Sequence, residues 1–509
     1  MLTSQIALPS PAKIRPAVTL FAIFVALYFF ELASFSLSID EEIGALRTDA
    51  SVWIAQGRWG AYLIEAFLIP HPVMPFLAPA VFGVCCVAAY LLVMDAIGKH
   101  ELSIAEYACF AIFCGFPTWF FIVEFYSNIA SVGIGLAALA FALWLLLKQN
   151  TRLTSLHIVL AIVAGAFAIS IYQSFAPAIL VLGIAIVALK VRAGEEGFLL
   201  KGLVRVVVLF DGSAVAYVVG NVIFKFFARL GSKYVDSFLQ PGFLFQHPMV
   251  VMKRTLGEMQ AAYGLGKSDY SVVLWAIPPL LLLGGWALFK ESSRTKLPVL
   301  VAALVSLLLP FSIHLISQGT LPVRSLVSLP MAIWLFVYLA VTSANAKIAR
   351  ASAVLLGVTI FQILVIQNYR QMSNYLVDKH DTLLAAAIYD RLAVTPGFDP
   401  NHTYALSVFG GKPFVTNYPK PPSSTVGNSF FEWDGGNPWR IAYYMRLLGY
   451  SNLDGPTQDQ VDQNIVALST MPVWPARDSL QIRNDTVLVR LGEAPSPANV
   501  EALSRIAKP

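Results

Sequence analysis

The chain has 509 residues, 57% of them hydrophobic and 13% charged, with a mean hydropathy of +0.67. Soluble proteins carry about 25% charged residues, so this composition excludes a soluble globular enzyme and a secreted disulfide scaffold. The net charge of +5 comes without a Lys/Arg block or an aromatic RNA-type motif, which argues against nucleic acid as a partner.

Residues 1–16 carry Lys13 and Arg15 and precede a long apolar run. That run exceeds a signal-peptide core and no A-x-A site follows, so an uncleaved first helix with a cytoplasmic N-terminus is expected. Uncharged stretches at 17–30, 73–94 and 129–147 approach or exceed the ~18 residues of a membrane span. Counting onward gives about eleven spans, near 17–38, 74–97, 104–123, 128–147, 154–171, 174–190, 203–229, 271–289, 298–316, 326–343 and 351–368. The connections assigned inside hold Lys99, Lys148, Arg152, Lys190, Arg192, Lys201, Arg205, Lys290, Arg294, Lys296, Lys347 and Arg350, whereas the short ones near 124–127 and 172–173 hold no cation. One orientation satisfies the positive-inside rule throughout and puts the tail after Gln367 outside.

Two outer loops are long, at about 39–72 and about 230–270. Beyond residue 368 the composition changes to turn-rich stretches such as "NYPKPPSS", "EWDGGNPW" and "MPVWP". "TYALSVF", "SLQIR" and "TVLVRL" read as strands, the last two joined by an Asn484-Asp485 turn. "NPWRIAYYMRLLGY" reads as a helix ended by glycine. The expected architecture is a polytopic α-helical membrane protein, with a transmembrane catalytic domain over 1–368 and a small extracytoplasmic α/β domain over 369–509. Cys85, Cys86, Cys109 and Cys114 all fall in apolar runs, and the seven histidines are scattered. No His/Cys metal site and no cofactor are expected, a divalent metal being left open.

The chemistry-bearing stretch is "LSIDEEIGALRTDASVWIAQGRW", which holds Asp40, Glu41, Glu42, Asp49, Arg58 and Trp59. The plain reading is acids at a helix exit and an interfacial aromatic belt that includes Trp53 and Trp59. The loop is semi-apolar, which suggests amphipathic helices lying against the membrane. It also gathers the residue types that hold and activate sugars, with Glu42 expected as a solvated loop acid. Further outer turns hold Glu124, Tyr126 and Asn128, then Tyr172 and Gln173, then His314, Gln318 and Arg324. Arg324 follows a proline at the expected N-terminal end of a membrane helix, where the dipole favours an anion; the plain alternative is a snorkelling cation. Ionisable residues inside the spans are Glu31, Glu106, Asp211 and Lys225, positions that mark function by default. No Rossmann or P-loop glycine motif supports direct use of a nucleotide sugar.

The order of a short basic N-terminus, a helix ending in "SIDEE", then "W-x-x-Q-G-R-W", "IYQS", "PVRS" and a closing "MPVWP…DSLQIRNDTVLVRL" resembles the bacterial O-antigen glucosyltransferase family, the type carried by serotype-converting phages. "SIDEE" departs from the more usual aspartate pair by placing glutamates after Asp40. The resemblance implies a GT-C type membrane glycosyltransferase of the bacterial inner membrane. Such an enzyme takes glucose or a similar hexose from a polyprenyl-phosphate carrier and gives it to a lipid-linked glycan such as O-antigen at the periplasmic face. On that reading Asp40 is the base, Glu41 its close rival, and Glu124 or Asp49 orients the acceptor. Arg324 and Arg58 bind the donor phosphate, and Trp59, Tyr172, Gln173 and His314 contact substrate. Membrane lipids are the surrounding partners. Two other classes stay in view: an O-antigen polymerase or ligase, which relies on outer-loop arginines, and a polyprenyl-lipid or glycan transporter, which uses midplane charges and duplicated halves.

Overall fold

The structure, a computed structural model, describes residues 11–71, 73–148, 153–230, 240–266, 270–290, 296–418 and 425–506. Arg152, Arg294, Pro72, parts of the 230–270 loop and most of "NYPKPPSS" lie outside the described residues.

The apolar runs are helical, as the need to satisfy every backbone group inside hydrocarbon demands. Among the described residues seven helices are long and apolar enough to cross a membrane: Leu77–Ala96, Ile104–Val123, Tyr126–Leu147, Phe175–Arg192, Phe198–Ala228, Lys296–Leu315 and Ala346–Ala393. Shorter apolar helices are Ile14–Leu27, Ser155–Ile171, Ile277–Lys290 and Leu329–Val341. Each apolar run marked in the sequence falls on one of these helices. Pro117 and Pro310 interrupt two of them as single 3-10 turns, since proline lacks the donor that a continuing helix needs.

The chain divides into two compact units, Met1–Phe35 with Thr48–Gln367, and Ser36–Arg47 with Asn368–Pro509. In the first unit, Leu329–Val341 is buried at every position, as suits a helix that is apolar all round. Leu77–Ala96 packs along Tyr126–Leu147, which packs on Ser155–Ile171, which in turn meets Phe198–Ala228. Lipid tails are as apolar as leucine, so close van der Waals fit has to hold such helices together. Glycines permit it: a Cβ on Gly133 would lie 2.8 Å from the Phe82 Cα, and one on Gly284 would lie 2.3 Å from the Phe336 carbonyl oxygen. Phe198–Ala228 instead exposes Val204, Val207, Val215, Val218 and Val222, a surface suited to lipid.

Two of the intramembrane acids have structural partners. Glu106 closes a capping box with Ser103 and accepts a hydrogen bond from Tyr338 Oη at 2.8 Å, with Lys99 Nζ at 3.4 Å. Glu31 is buried and accepts from Tyr126 Oη at 3.1 Å and Gln367 Nε2 at 3.5 Å.

The second unit is built on a four-stranded mixed sheet. Its strands are β1 (Tyr404–Phe409), β2 (Leu453–Asp454), β3 (Leu480–Arg483) and β4 (Thr486–Arg490), in the order β2-β1-β4-β3. β1 runs parallel to both β2 and β4, while β3 and β4 form a hairpin with Arg483 opposite Thr486. Asn484 takes the left-handed conformation at φ 50, which a tight hairpin turn requires. Helices Pro438–Leu447, Gln458–Thr470 and Pro497–Ile506 complete the unit. Helix Glu41–Leu46, drawn from the first outer loop, packs on Pro438–Leu447. The rest of that loop, with helices Val52–Ala55 and Trp59–Phe67, belongs to the first unit. Helix Ala346–Ala393 runs well past the span end near residue 368 read from hydropathy, and its residues from Asn368 on belong to the second unit.

Candidate active site

In the first unit the structure brings together the "QGR", "YQ" and "PVRS" segments. Gly57 adopts φ 73, a conformation glycine takes without steric cost, and a Cβ there would meet Tyr217 Oη at 3.0 Å and Gln173 Nε2 at 3.2 Å. The turn is clamped from two sides: from the turn between helices Ser155–Ile171 and Phe175–Arg192, Gln173 Nε2 donates to the Gln56 carbonyl at 2.8 Å, and from helix Phe198–Ala228, Tyr217 Oη donates to the Gly57 carbonyl at 3.0 Å. The Arg58 guanidinium lies over two rings, Tyr172 at 4.8 Å and Trp53 at 5.5 Å from the centroids. The Trp53 indole N–H donates to buried Glu65. Tyr172 Oη donates to the Arg324 carbonyl at 3.3 Å, and the Arg324 guanidinium stands 5.1 Å from the Phe125 ring centroid. Phe125 follows Glu124, which is buried.

Arg58, Tyr172, Gln173 and Arg324 therefore form one connected group, with Glu124 beside it in sequence. Arg324 is half-buried and forms no ion pair among the described residues. Its setting differs from the sequence expectation. Arg324 lies in the 3-10 turn Val323–Ser325, and the helix begins only at Leu329. Pro330 in the first helical turn fixes that start, as proline is pre-organised there. The helix dipole decays within about one turn and adds little at Arg324.

The remaining candidates have their own settings. Asp49 accepts from the Ser51 backbone N–H at 2.9 Å and from its hydroxyl, holding the start of the Val52–Ala55 turn. Trp59 stacks on Phe224 with centroids 5.3 Å apart and ring planes nearly parallel, and its indole N–H donates to the Tyr217 carbonyl at 3.4 Å, so one ring face is already occupied. His314 is fully buried, with its ring 5.6 Å from Phe311 and neither ring nitrogen hydrogen-bonded among the described residues.

The acids of "SIDEE" belong to the second unit. Asp40 stands before helix Glu41–Leu46 at φ 82, left-handed, and its side chain makes no capping bond. Its carboxylate pairs with Arg440 Nη2 at 2.7 Å, Glu42 Oε1 with Arg440 Nη1 at 2.5 Å, and Asp434 Oδ2 with Arg440 Nε at 2.9 Å. One guanidinium thus holds three carboxylates. Asn437 caps the Arg440 helix by accepting from the backbone N–H groups of Trp439 and Arg440, which fixes where the guanidinium starts from. Glu41 is buried as well.

Glu42 overturns the expectation of a solvated loop acid. It is fully buried, and its Oε2 has no hydrogen-bond partner among the described residues. Burial pushes its pKa up to about 7, with the Arg440 attraction only partly opposing it. For Arg440 burial works against the charge, but Asp40 and Glu42 outweigh it and raise the guanidinium above its ordinary value.

Sequence reading missed Arg440, Asp434, Gln56 and Tyr217. Tyr217 left a usable signal, a hydroxyl inside an otherwise apolar span. Arg440 left none, since an arginine on an amphipathic helix is ordinary. Residues 29–341, more than half of the chain, match the family model described as glucosyl transferase GtrII. No curated protein matches the chain.

Proposed function

The chain belongs to the glucosyl transferase GtrII family, and from that membership as a membrane-type glucosyltransferase we propose that it moves glucose from a polyprenyl-phosphate carrier to a lipid-linked glycan such as O-antigen, at the periplasmic face of a bacterial inner membrane. The fold is then of the GT-C type. A polyprenyl chain needs a hydrocarbon setting, and the apolar helices offer one.

The observation that carries this reading is Arg324, a half-buried cation with an aromatic contact and no carboxylate among its described partners. An unneutralised guanidinium suits the two non-bridging oxygens of a phosphate, which its planar fork can bind side by side. In the reaction, the acceptor hydroxyl loses its proton to a carboxylate as its oxygen bonds to the glucose anomeric carbon. The bond from that carbon to the phosphate oxygen breaks, and the carrier departs as a phosphate anion. The leaving group needs no proton, so one base suffices. Asp40 is assigned to that role with Glu41 as its rival, Glu124 or Asp49 to orienting the acceptor, Arg324 and Arg58 to the phosphate, and Trp59, Tyr172, Gln173 and His314 to substrate contacts.

Membranes holding the full-length protein, given radiolabelled glucosyl-lipid and acceptor, are expected to pass the label to glycan. A polymerase, ligase or transporter leaves the glucose on its donor, and that result overturns the proposal.

The orientation carries its own prediction. Charge bias puts the N-terminus inside and the tail outside. Reporter fusions after Arg350 and after Arg370 are expected to report opposite compartments; the same compartment for both removes the last crossing.

A further inference from the structure

Arg440 lies outside the matched residues 29–341, yet it grips two acids of the first outer loop. We propose that Arg440 is a positioning residue for the transfer reaction: it holds the Asp40 carboxylate in one orientation, while Glu42 behind it governs how much of the guanidinium charge rests on Asp40. The inference depends on the reading of Asp40 as base.

The geometry supplies the reasons. The left-handed backbone at Asp40 leaves its carboxylate uncommitted to its own helix, and the side chain is 51% exposed. Such a carboxylate, left alone, samples several rotamers. Arg440 is 15% exposed and braced on its other side by Asp434, so it offers a fixed anchor. A base displaced by about 1 Å can lose on the order of 100-fold in rate, which makes an anchor of this kind consequential.

Charge balance supplies the second part. Three carboxylates surround one cation, so full ionisation leaves excess negative charge. Glu42 interacts with Arg440 on the helix packed against it and with Asp40 on its own segment, a segment that also carries Glu41 and Arg47; Asp434, in the turn before that helix, shares Arg440, and Arg446 on the same helix is paired to Asp454 at 3.1 Å. Glu42 is the buried acid of the trio with an unpartnered oxygen, so it is the one that gives way and keeps its proton up to about pH 7. Below that pH Glu42 is neutral and the guanidinium charge rests on Asp40 and Asp434. Above it, ionised Glu42 takes a share of the guanidinium charge. Turnover is therefore expected to rise with pH through the Glu42 titration.

The test measures kcat, donor KM and the pH profile in membranes with the full-length protein and radiolabelled glucosyl-lipid. Arg440→Gln is expected to lower kcat by about 10-fold or more with donor KM nearly unchanged, the mark of lost orientation rather than lost binding. It also removes an attraction that favours ionised Glu42, so the acid limb should move to higher pH. Arg440→Lys keeps the charge without the fork; it is expected to return the limb toward its original position while recovering only part of kcat. Glu42→Gln should abolish the limb near pH 7. Limb positions are independent of how much protein folds, so they stay readable in a poorly expressed variant. Wild-type kcat and an unshifted limb in Arg440→Gln, with Asp40→Asn inactive, overturn this inference and leave the base assignment standing. Normal turnover by Asp40→Asn removes the base assignment and this inference with it.

Discussion

Asp40→Asn is expected to lower glucosyl transfer by ~100-fold or more, the contribution of a positioned general base. The substitution is clean because of the backbone. Asp40 sits at φ 82, a region that asparagine enters about as readily as aspartate, so the turn before helix Glu41–Leu46 survives. The amide oxygen still accepts from Arg440, and what disappears is the ability to take a proton. Asp40→Ala is the inferior test, since alanine at a left-handed position adds roughly 1–2 kcal/mol of strain and confounds chemistry with folding. Transfer from a radiolabelled glucosyl-lipid, normalised to protein in the membrane, is the measurement. Near-normal transfer by Asp40→Asn sinks the assignment, and Glu41→Gln then becomes the decisive variant.

Arg324→Ala is expected to cost on the order of 100-fold in turnover, the usual loss when a fixed donor to a developing anion is removed. Negative charge grows on the phosphate oxygens as the bond to the sugar breaks, so the interaction matters most at the transition state. The structure makes this substitution selective: Tyr172 donates to the Arg324 carbonyl, a contact that any residue at 324 preserves. The change therefore removes the guanidinium and leaves the link to the "YQ" segment. Arg324→Lys keeps a cation that can still face Phe125 but cannot bind two oxygens in a plane, and its expected loss approaches that of alanine. If the arginine only snorkels to the interface, lysine restores full activity. Full activity in both variants reduces Arg324 to a topology anchor.

Much of the fold was legible because hydrocarbon imposes so simple a rule. A run such as 129–147 has no alternative to a helix, and its helix Tyr126–Leu147 follows almost residue for residue. Three of the four strands were legible as short apolar runs, two of them joined by the Asn484-Asp485 turn, while the two-residue β2 left no such signal. The site was legible as a set of segments and illegible as a set of contacts. Arg58, Tyr172, Gln173 and Arg324 stood out as polar residues at helix ends, and they meet. Glu42 was misread because local sequence shows two adjacent glutamates after an aspartate and says nothing of a helix about 400 residues later whose Arg440 pairs with the second of them. The start of the helix after Arg324 was misplaced because hydropathy rises at Leu326, whereas Pro330 decides where helical geometry begins.

The inclusion of Ser36–Arg47 in the second unit has a consequence for biosynthesis. Ile39 is wholly buried in that unit's core together with Ile441, Ala442 and Met445, so its resting place does not exist when it leaves the ribosome. At 5–20 residues per second, roughly 20 to 80 s separate the synthesis of this segment from that of helix Pro438–Leu447. Throughout that interval Glu42 is a hydrated, ordinary carboxylate, and it becomes a buried one only when about the last seventh of the chain arrives. The unit closes like a clasp whose two halves are made at opposite ends of the message, and a chain cut short before Pro438 leaves the first half without the helix and the guanidinium it pairs with.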